Sequence, residues 1–484
     1  MNRRMVFYLL GKILYIEAAL MSLPLVCSAI YKESKSLFAF VITILLSLGL
    51  GLALTKFNRP KDKTIFAKEG FVIVALTWVV MSLIGALPFV ISGEIPNFFN
   101  AFFETVSGFT TTGASILTDV EAISHGCLFW RSFTHWVGGM GILVLVMAIV
   151  PTESGRSMHI ARAEMPGPIV GKLVPKLKTT AKILYLIYIC FTVLEAILLL
   201  AGGMSLFDSI LHSLGTAGTG GFGVKADSLA SYTPYMQWVI AIFMLIFGVN
   251  FNIYYLILVR KIRTAFRSEE LWVYIGIVLG AVAIITANVY NSFTNFADAL
   301  RNATFQVASV ITTTGYSTVN FSVWPNLSKG ILFLLMFIGG CAGSTAGGLK
   351  VSRVVLLVKR VFSNLKRSLH PRSTELIKLE GKKVETDTAN GVLVYFALYF
   401  ICITAVFFLL LFEPFDMETN LTATVSCFNN IGPAYASAWD NYNIYSSFSK
   451  VVLSFAMLLG RLEIYPMILL FSPTSWLKRR KIKK

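Results

Sequence analysis

Charge is scarce in this chain. Only 14% of its 484 residues are Asp, Glu, Lys or Arg, and the acidic residues number 25 against 42 basic ones. A soluble protein of this length needs a larger charged surface, so that class is excluded; 56% hydrophobic residues and a mean hydropathy of +0.71 place the chain in a bilayer. Cysteine is sparse as well: Cys27, Cys127, Cys190, Cys341, Cys402 and Cys427 lie mostly inside apolar segments, with neither metal-ligand spacing nor a disulfide framework. The sequence also lacks GxxxxGK[ST], HExxH and GxSxG, which argues against a phosphate-cradling loop, a zinc protease and a serine hydrolase. The reading is therefore not an enzyme, with no organic cofactor on this chain.

What is present is apolar length. Stretches of about 18 residues or more, each able to cross the hydrocarbon core, begin near Met5, Leu37, Gly70, Cys127, Ala181, Tyr235, Leu271, Gly330, Gly391 and Val451, which predicts about ten spans. A net charge of +17 would suit nucleic acid if it were spread over a soluble surface, but here it clusters in the N-terminal segment, the linkers and the C-terminal tail. With ten spans every cluster falls on one side, which the positive-inside rule makes cytoplasmic. Both termini are expected there, with lipid and not nucleic acid as the surroundings.

Four times a hydrophobic segment is followed by a short stretch ending in a Thr-, Gly- or Asn-rich run with a glycine, and then by another hydrophobic segment. The runs read FTTTGA, AGTGGF, ITTTGY and FNNIGP, with their glycines at roughly 94- to 117-residue spacing. Aligned, they give Thr110, Gly218, Thr312 and Asn429 as one layer, then Thr111, Thr219, Thr313 and Asn430, then Thr112, Gly220, Thr314 and Ile431, then Gly113, Gly221, Gly315 and Gly432. The stretches before them are too short to span and read as half-helices capped by Asp208, Asp298 and Asp416, with negative C-terminal ends that favour a cation. Backbone carbonyls stacked around one axis replace the hydration shell of K⁺, so the sixteen positions are the expected ion ligands, and glycine supplies the φ values that aim them. The fourth run departs from the rest at Asn429 to Pro433, which makes the symmetry approximate. Gly218, Gly220 and Gly223 form a GxGxxG match, but no strand precedes it and no βαβ unit surrounds it, so it is not a dinucleotide site.

Five glycines between Gly339 and Gly348 interrupt the second helix of the third unit only. Irregular backbone at membrane depth is tolerated where it is buried in protein or lines water; a gate at Gly343, Ser344, Thr345, Ala346, Gly347 and Gly348 and a close-packed glycine seam are the two readings. Arg461 is a basic residue in mid-span, either a barrier holding the gate or a structural partner of Glu463. His135 and His212 read as hydrogen-bonded interior residues, and Glu104 and Glu195 as modest candidates for coupled ions.

These runs, with HWVGGMGI from His135, GGCAGSTAGGLK from Gly339 and GRLEIYP from Gly460, resemble the Trk/Ktr/HKT superfamily of potassium transporters over essentially the whole chain, most closely its bacterial Trk branch. The resemblance implies an all-α polytopic membrane protein: two leading helices in 1–69 and helix, re-entrant pore loop, helix repeats in 70–155, 156–268, 269–368 and 369–484 around a central pore. It further implies K⁺ as the transported ion, potassium uptake across the bacterial cytoplasmic membrane, a homodimer, a cytosolic nucleotide-binding regulatory subunit, and a gating role for the 343–348 segment. A secondary K⁺ symporter coupled to H⁺ or Na⁺ is the alternative.

Overall fold

Two apolar helices lead the chain: Arg3–Leu20, carried on by Ser22–Ile30, and Ser34–Phe57, which turns back along them. The structure, a computed structural model, describes residues 1–60, 67–141, 177–370, 377–384 and 386–476. The leading helices cross where two glycines meet: a Cβ on Gly11 would stand 2.8 Å from the Gly51 carbonyl oxygen, so a side chain there would push the helices apart. Phe38, Leu45 and Leu52 face outward and are each more than half exposed, an apolar wall suited to lipid rather than water.

Four repeats follow, as expected. Their first helices are Ala67–Gly85, Leu177–Ala201, Glu269–Val289 and Thr386–Leu410. Their half-helices are Phe98–Phe109, Leu206–Gly218, Phe296–Ile311 and Met417–Asn429. Their second helices are His125–Gly139, Pro234–Phe247, Asn326–Ile338 and Ser447–Arg461. Each half-helix packs against the second helix of its own repeat and that of the repeat before it, with the fourth repeat preceding the first, so the four close a circle. The strands among the described residues are one small antiparallel hairpin, Lys378–Leu379 with Lys382–Lys383.

The half-helices hold 12 to 16 residues, roughly 18 to 24 Å at 1.5 Å per residue, short of a ~30 Å hydrocarbon core. Their caps differ from the expectation. Asp416 does cap its helix, accepting from the Thr419 N–H. In the second and third repeats the caps are Ser205 and Asn295, which accept from the N–H groups of Asp208 and Asp298; these two acids sit in the first turn, where they suit the positive helix end without capping it. Asn97 caps the first half-helix, so all four begin with a side-chain acceptor.

Ten continuous spans are not what forms. Among the described residues six helices are long and apolar enough to cross a membrane, and the pair Pro234–Phe247 and Phe251–Leu258 bends by 88° at its break. The second helix is interrupted in the second repeat at residues 248–250, in the third at 339–350 and in the fourth at 462–464, so the third is not alone in being broken. In the first repeat the helix ends at Gly139 and the description stops at Gly141, where φ is +79. The expected remainder of that span to Val150, the basic segment from Arg156 to Lys176 and the tail beyond Trp476 lie outside the described residues.

Close backbone approach fixes where the second helices stand. A Cβ on Gly138 would overlap the carbonyl of Phe109, and one on Gly460 that of Phe428, the last residue before the glycine run in both repeats. Gly460→Ala is expected to cost about 1–3 kcal/mol by overpacking and to lower the unfolding temperature in detergent. Gly330→Ala, on a helix face with nothing within 4 Å, should leave that temperature unchanged or slightly raised in the same assay.

Candidate selectivity filter and gate

The four glycine runs share one backbone path. In each, the N–H of the second-layer residue bonds the carbonyl three residues back (Thr111 to Gly108, Thr219 to Thr216, Thr313 to Val310, Asn430 to Cys427). The third-layer N–H reaches five back (Thr112 to Ser107, Gly220 to Gly215, Thr314 to Ser309, Ile431 to Ser426). This pair of bonds is the Schellman ending of a helix, and it turns the chain out of the half-helix in four identical ways. The residue such an ending forces into the left-handed region is usually glycine; here it is Thr111, Thr219, Thr313 and Asn430, with φ of 57, 56, 54 and 58. For an L residue that conformation costs on the order of 1–2 kcal/mol, and a β-branched one is an outlier held there by its surroundings. The sequence pointed to glycine as the source of unusual φ, and the fourth-layer glycines do supply it at 77, 73, 87 and 102. The threonine column went unrecognised because nothing in a Thr side chain announces positive φ; Asn430 in the same column was the available signal.

The runs meet edge to edge. A Cβ on Gly113 would overlap the Gly220 carbonyl oxygen, one on Gly221 that of Thr314, and one on Gly315 that of Ile431. On Gly432 it would stand 2.7 Å from the Thr112 carbonyl oxygen. Each fourth-layer glycine thus abuts the third-layer carbonyl of the next repeat, and the order 1-2-3-4-1 closes. Because the N–H groups turn back into the half-helices, the carbonyls are left over. Among the described residues only two of the sixteen accept a hydrogen bond, Gly218 from the Thr219 hydroxyl at 2.6 Å and Gly432 from the Tyr442 hydroxyl at 2.7 Å. A set of unclaimed carbonyls at the negative ends of four converging half-helices can hold a cation.

The side chains brace this path unevenly. The hydroxyls of Thr110 and Thr112 lie 2.8 Å apart, as do those of Thr312 and Thr314. In the fourth repeat Asn429 takes the place of the first-layer threonine, bonding back to Val425 and accepting from the Tyr399 hydroxyl at 2.6 Å. Asn430 reaches across to the Thr112 hydroxyl at 2.9 Å and to the Met457 carbonyl at 3.0 Å. The departure seen in the sequence therefore keeps the backbone and changes only how it is fastened.

The interrupted segment of the third repeat lies against the half-helix end of these runs. The Gly347 N–H donates to the Thr313 hydroxyl at 2.6 Å, and a Cβ on Gly347 would overlap the Asn429 carbonyl. Positive φ at Gly339, Gly343, Gly348 and Lys350 folds the segment into a loop whose ends touch at Gly339 and Gly348. Its free backbone groups find partners elsewhere: Glu270 accepts from the Ala342 N–H at 2.7 Å and the Gly248 carbonyl from the Cys341 N–H at 2.9 Å, while the Thr345 side-chain hydroxyl donates to the Phe247 carbonyl at 3.3 Å. Ser344 bonds back to Cys341, and the buried Lys350 ammonium donates to the Ala346 carbonyl. Arg461 completes the assembly from the fourth repeat, donating to the Thr345 carbonyl at 2.9 Å, to the Gly139 carbonyl at 2.9 Å and to the Gly138 carbonyl. One side chain so connects the second helices of the fourth, third and first repeats. Glu463 pairs instead with Arg353 at 2.6 Å, so the alternative in which Arg461 is its structural partner is not what forms.

A family model described as TrkH, cation transport protein, matches residues 35–478. The chain belongs to the TrkH family. It is 36% identical over 483 residues, 98% of this chain and 100% of the relative, to the Trk system potassium uptake protein TrkH of Salmonella typhimurium. Against the Trk system potassium uptake protein TrkG of Escherichia coli the identity is 31% over 480 residues, 98% of each chain. The crystal structure of the potassium transporter TrkH from Vibrio parahaemolyticus superposes with a TM-score of 0.88 at 31% identity, covering 99% of this chain and 100% of that one. All of these names are those of transport components, and none is that of an enzyme.

The bond from Gly347 to Thr313 ties this TrkH-family chain's loop to its glycine run. Thr313→Val leaves a buried N–H without its acceptor, a loss of about 1–3 kcal/mol, and hydrogen exchange of the 339–350 segment should speed up about tenfold or more. Exchange unchanged from wild type would show that the bond does not hold the loop.

Proposed function

We propose that this chain is the K⁺-conducting subunit of a bacterial potassium uptake system. The closed ring, in which each fourth-layer glycine abuts the third-layer carbonyl of the next repeat, is the observation that carries the reading. K⁺ enters from outside, sheds water onto the carbonyls of Thr110 to Gly113 and their counterparts, and is held at the negative ends of the half-helices. The loop from Gly343 to Gly348 and the Arg461 guanidinium stand beyond the filter as the gate, since a fixed positive charge repels a cation and the bond to the Thr345 carbonyl, with two more to the helix end of the first repeat, ties the loop to its neighbours.

The relatives' names refer to a Trk system, which supports a chain that works with other components. A cytosolic nucleotide-binding subunit then biases the gate, and the protein sits as a homodimer in the inner membrane with both termini cytoplasmic, one leading pair of helices and four pore repeats per protomer. The symporter alternative needs carboxylates that titrate along the path. Glu104 is committed to an ion pair with Arg131, whereas Glu195 is fully buried and makes no ion pair among the described residues, an observation that favours coupling.

Two measurements bear on this reading. Currents across bilayers containing the protein should reverse at the K⁺ equilibrium potential at every pH; a reversal potential that moves with pH would establish H⁺ coupling. Arg461→Ala removes hydrogen bonds of about 1.5–3 kcal/mol each to the loop and helix carbonyls, so K⁺ flux into proteoliposomes without any partner should rise at least about tenfold. Deleting Gly343 to Ala346 should act in the same direction, and unchanged flux in both variants with folded protein retained would leave these residues a packing role only.

A further inference from the structure

Behind the first two glycine runs lies an ion pair buried in the protein. Glu104 on the first half-helix and Arg131 on the second helix of the same repeat are 1% and 3% exposed, and the Arg131 Nε donates to the Glu104 Oε1 at 2.6 Å. Burying two charges is costly unless good geometry and further hydrogen bonds offset the desolvation, so the remaining partners show what the pair holds. Both carboxylate oxygens turn to the loop after the first run: Oε1 accepts from the Ser115 hydroxyl and Oε2 from the Ile116 N–H, each at 2.9 Å. The guanidinium turns to the second run. Its Nη1 donates to the Gly223 carbonyl at 2.9 Å, and its carbon lies 3.6 Å from the centre of the Phe222 ring. The Ser115 carbonyl accepts in turn from the Tyr442 N–H at 2.8 Å, and the Tyr442 hydroxyl donates to Gly432. Runs four, one and two are thereby fastened by one chain of hydrogen bonds, with the ion pair at its centre.

The repeats supply an internal comparison. The place of Glu104, six residues before the first layer, is taken by His212, Gln306 and Ala423 in the other three repeats. In the fourth, the neighbouring Thr422 hydroxyl accepts from the Tyr435 N–H at 3.0 Å, and Tyr435 stands three residues after its glycine as Ile116 does after Gly113. A neutral acceptor is therefore enough to hold a loop to its own half-helix. Only the first repeat uses a carboxylate there, and what the charge adds is a guanidinium that reaches the next repeat.

We propose that Glu104 and Arg131 are positioning residues for ion discrimination: they set the separation between the first and second runs, on which the fit of K⁺ or Na⁺ among the carbonyls depends. The inference rests on the carbonyl-filter reading above. Neither residue touches the ion; both act through Ser115, Ile116 and Gly223.

The test measures K⁺ and Na⁺ fluxes side by side in proteoliposomes of the full chain, together with its thermal stability in detergent, for wild type, Glu104→Gln, Arg131→Lys and Gly113→Ala. Arg131→Lys keeps the charge but not the forked donor set, and serves as the readable variant if Glu104→Gln does not fold. Each of these two substitutions should lower the K⁺/Na⁺ flux ratio about tenfold, the scale of one weakened charge-assisted contact. An unchanged ratio in Arg131→Lys, alongside a lowered ratio in Gly113→Ala, overturns the inference and leaves the filter standing. A ratio untouched by Gly113→Ala as well removes the filter reading and this inference with it. Lower thermal stability and lower total flux at an unchanged ratio mark a scaffold alone, which also overturns the proposal.

Discussion

Four glycine Cα atoms against four carbonyl oxygens is the contact on which the rest of this molecule depends. No side chain fits between Gly113 and Gly220, Gly221 and Thr314, or Gly315 and Ile431, so at these points the runs can touch only as bare backbone. To bring backbone that close on every side, the half-helices must end at one level. They do so through one repeated helix ending that places a threonine or asparagine in the left-handed region. The strain of those four residues is borne by the packing behind them, where half-helix and second helix also meet through glycine, at Gly138 and Gly460.

The second constraint is the absence of water as a hydrogen-bond partner at membrane depth. A helix that breaks there must hand its free N–H and carbonyl groups to other protein groups. The break in the third repeat gives them to Glu270, Gly248 and Thr313. Arg461 takes carbonyls at the helix end of the first repeat. The breaks are thus mutually satisfying, and an arginine in mid-span serves as a donor for backbone that has lost its own helix. That makes the region below the runs a polar assembly distributed over all four repeats.

Much of this was legible in the sequence for a physical reason: a run that must approach backbone closely needs glycine at a fixed place, and four such runs declare their own register. The half-helices were readable because their length is wrong for a span. The breaks in the second and fourth repeats were not, since Gly248 to Asn250 and Leu462 to Ile464 are too short to disturb a hydropathy pattern, and Glu463 and Ile464 take positive φ without a glycine to mark it. The caps at Ser205 and Asn295 were overlooked in favour of the acids three residues on, because both positions suit a positive helix end and only coordinates separate them. Cross-repeat partners such as Arg131 with Gly223 leave no trace in spacing at all, being set by how the circle closes.

The ring is written four times in one reading frame rather than once in a gene used four times. A single base change in a tetrameric assembly strikes every quadrant together, but here it strikes one. Asn429, Asn430 and Ile431 show what that permits: one quadrant has exchanged its side chains while the backbone of all four remains in register. Each quadrant can therefore drift toward its own task, so long as all four keep the backbone path that meets the neighbouring carbonyl.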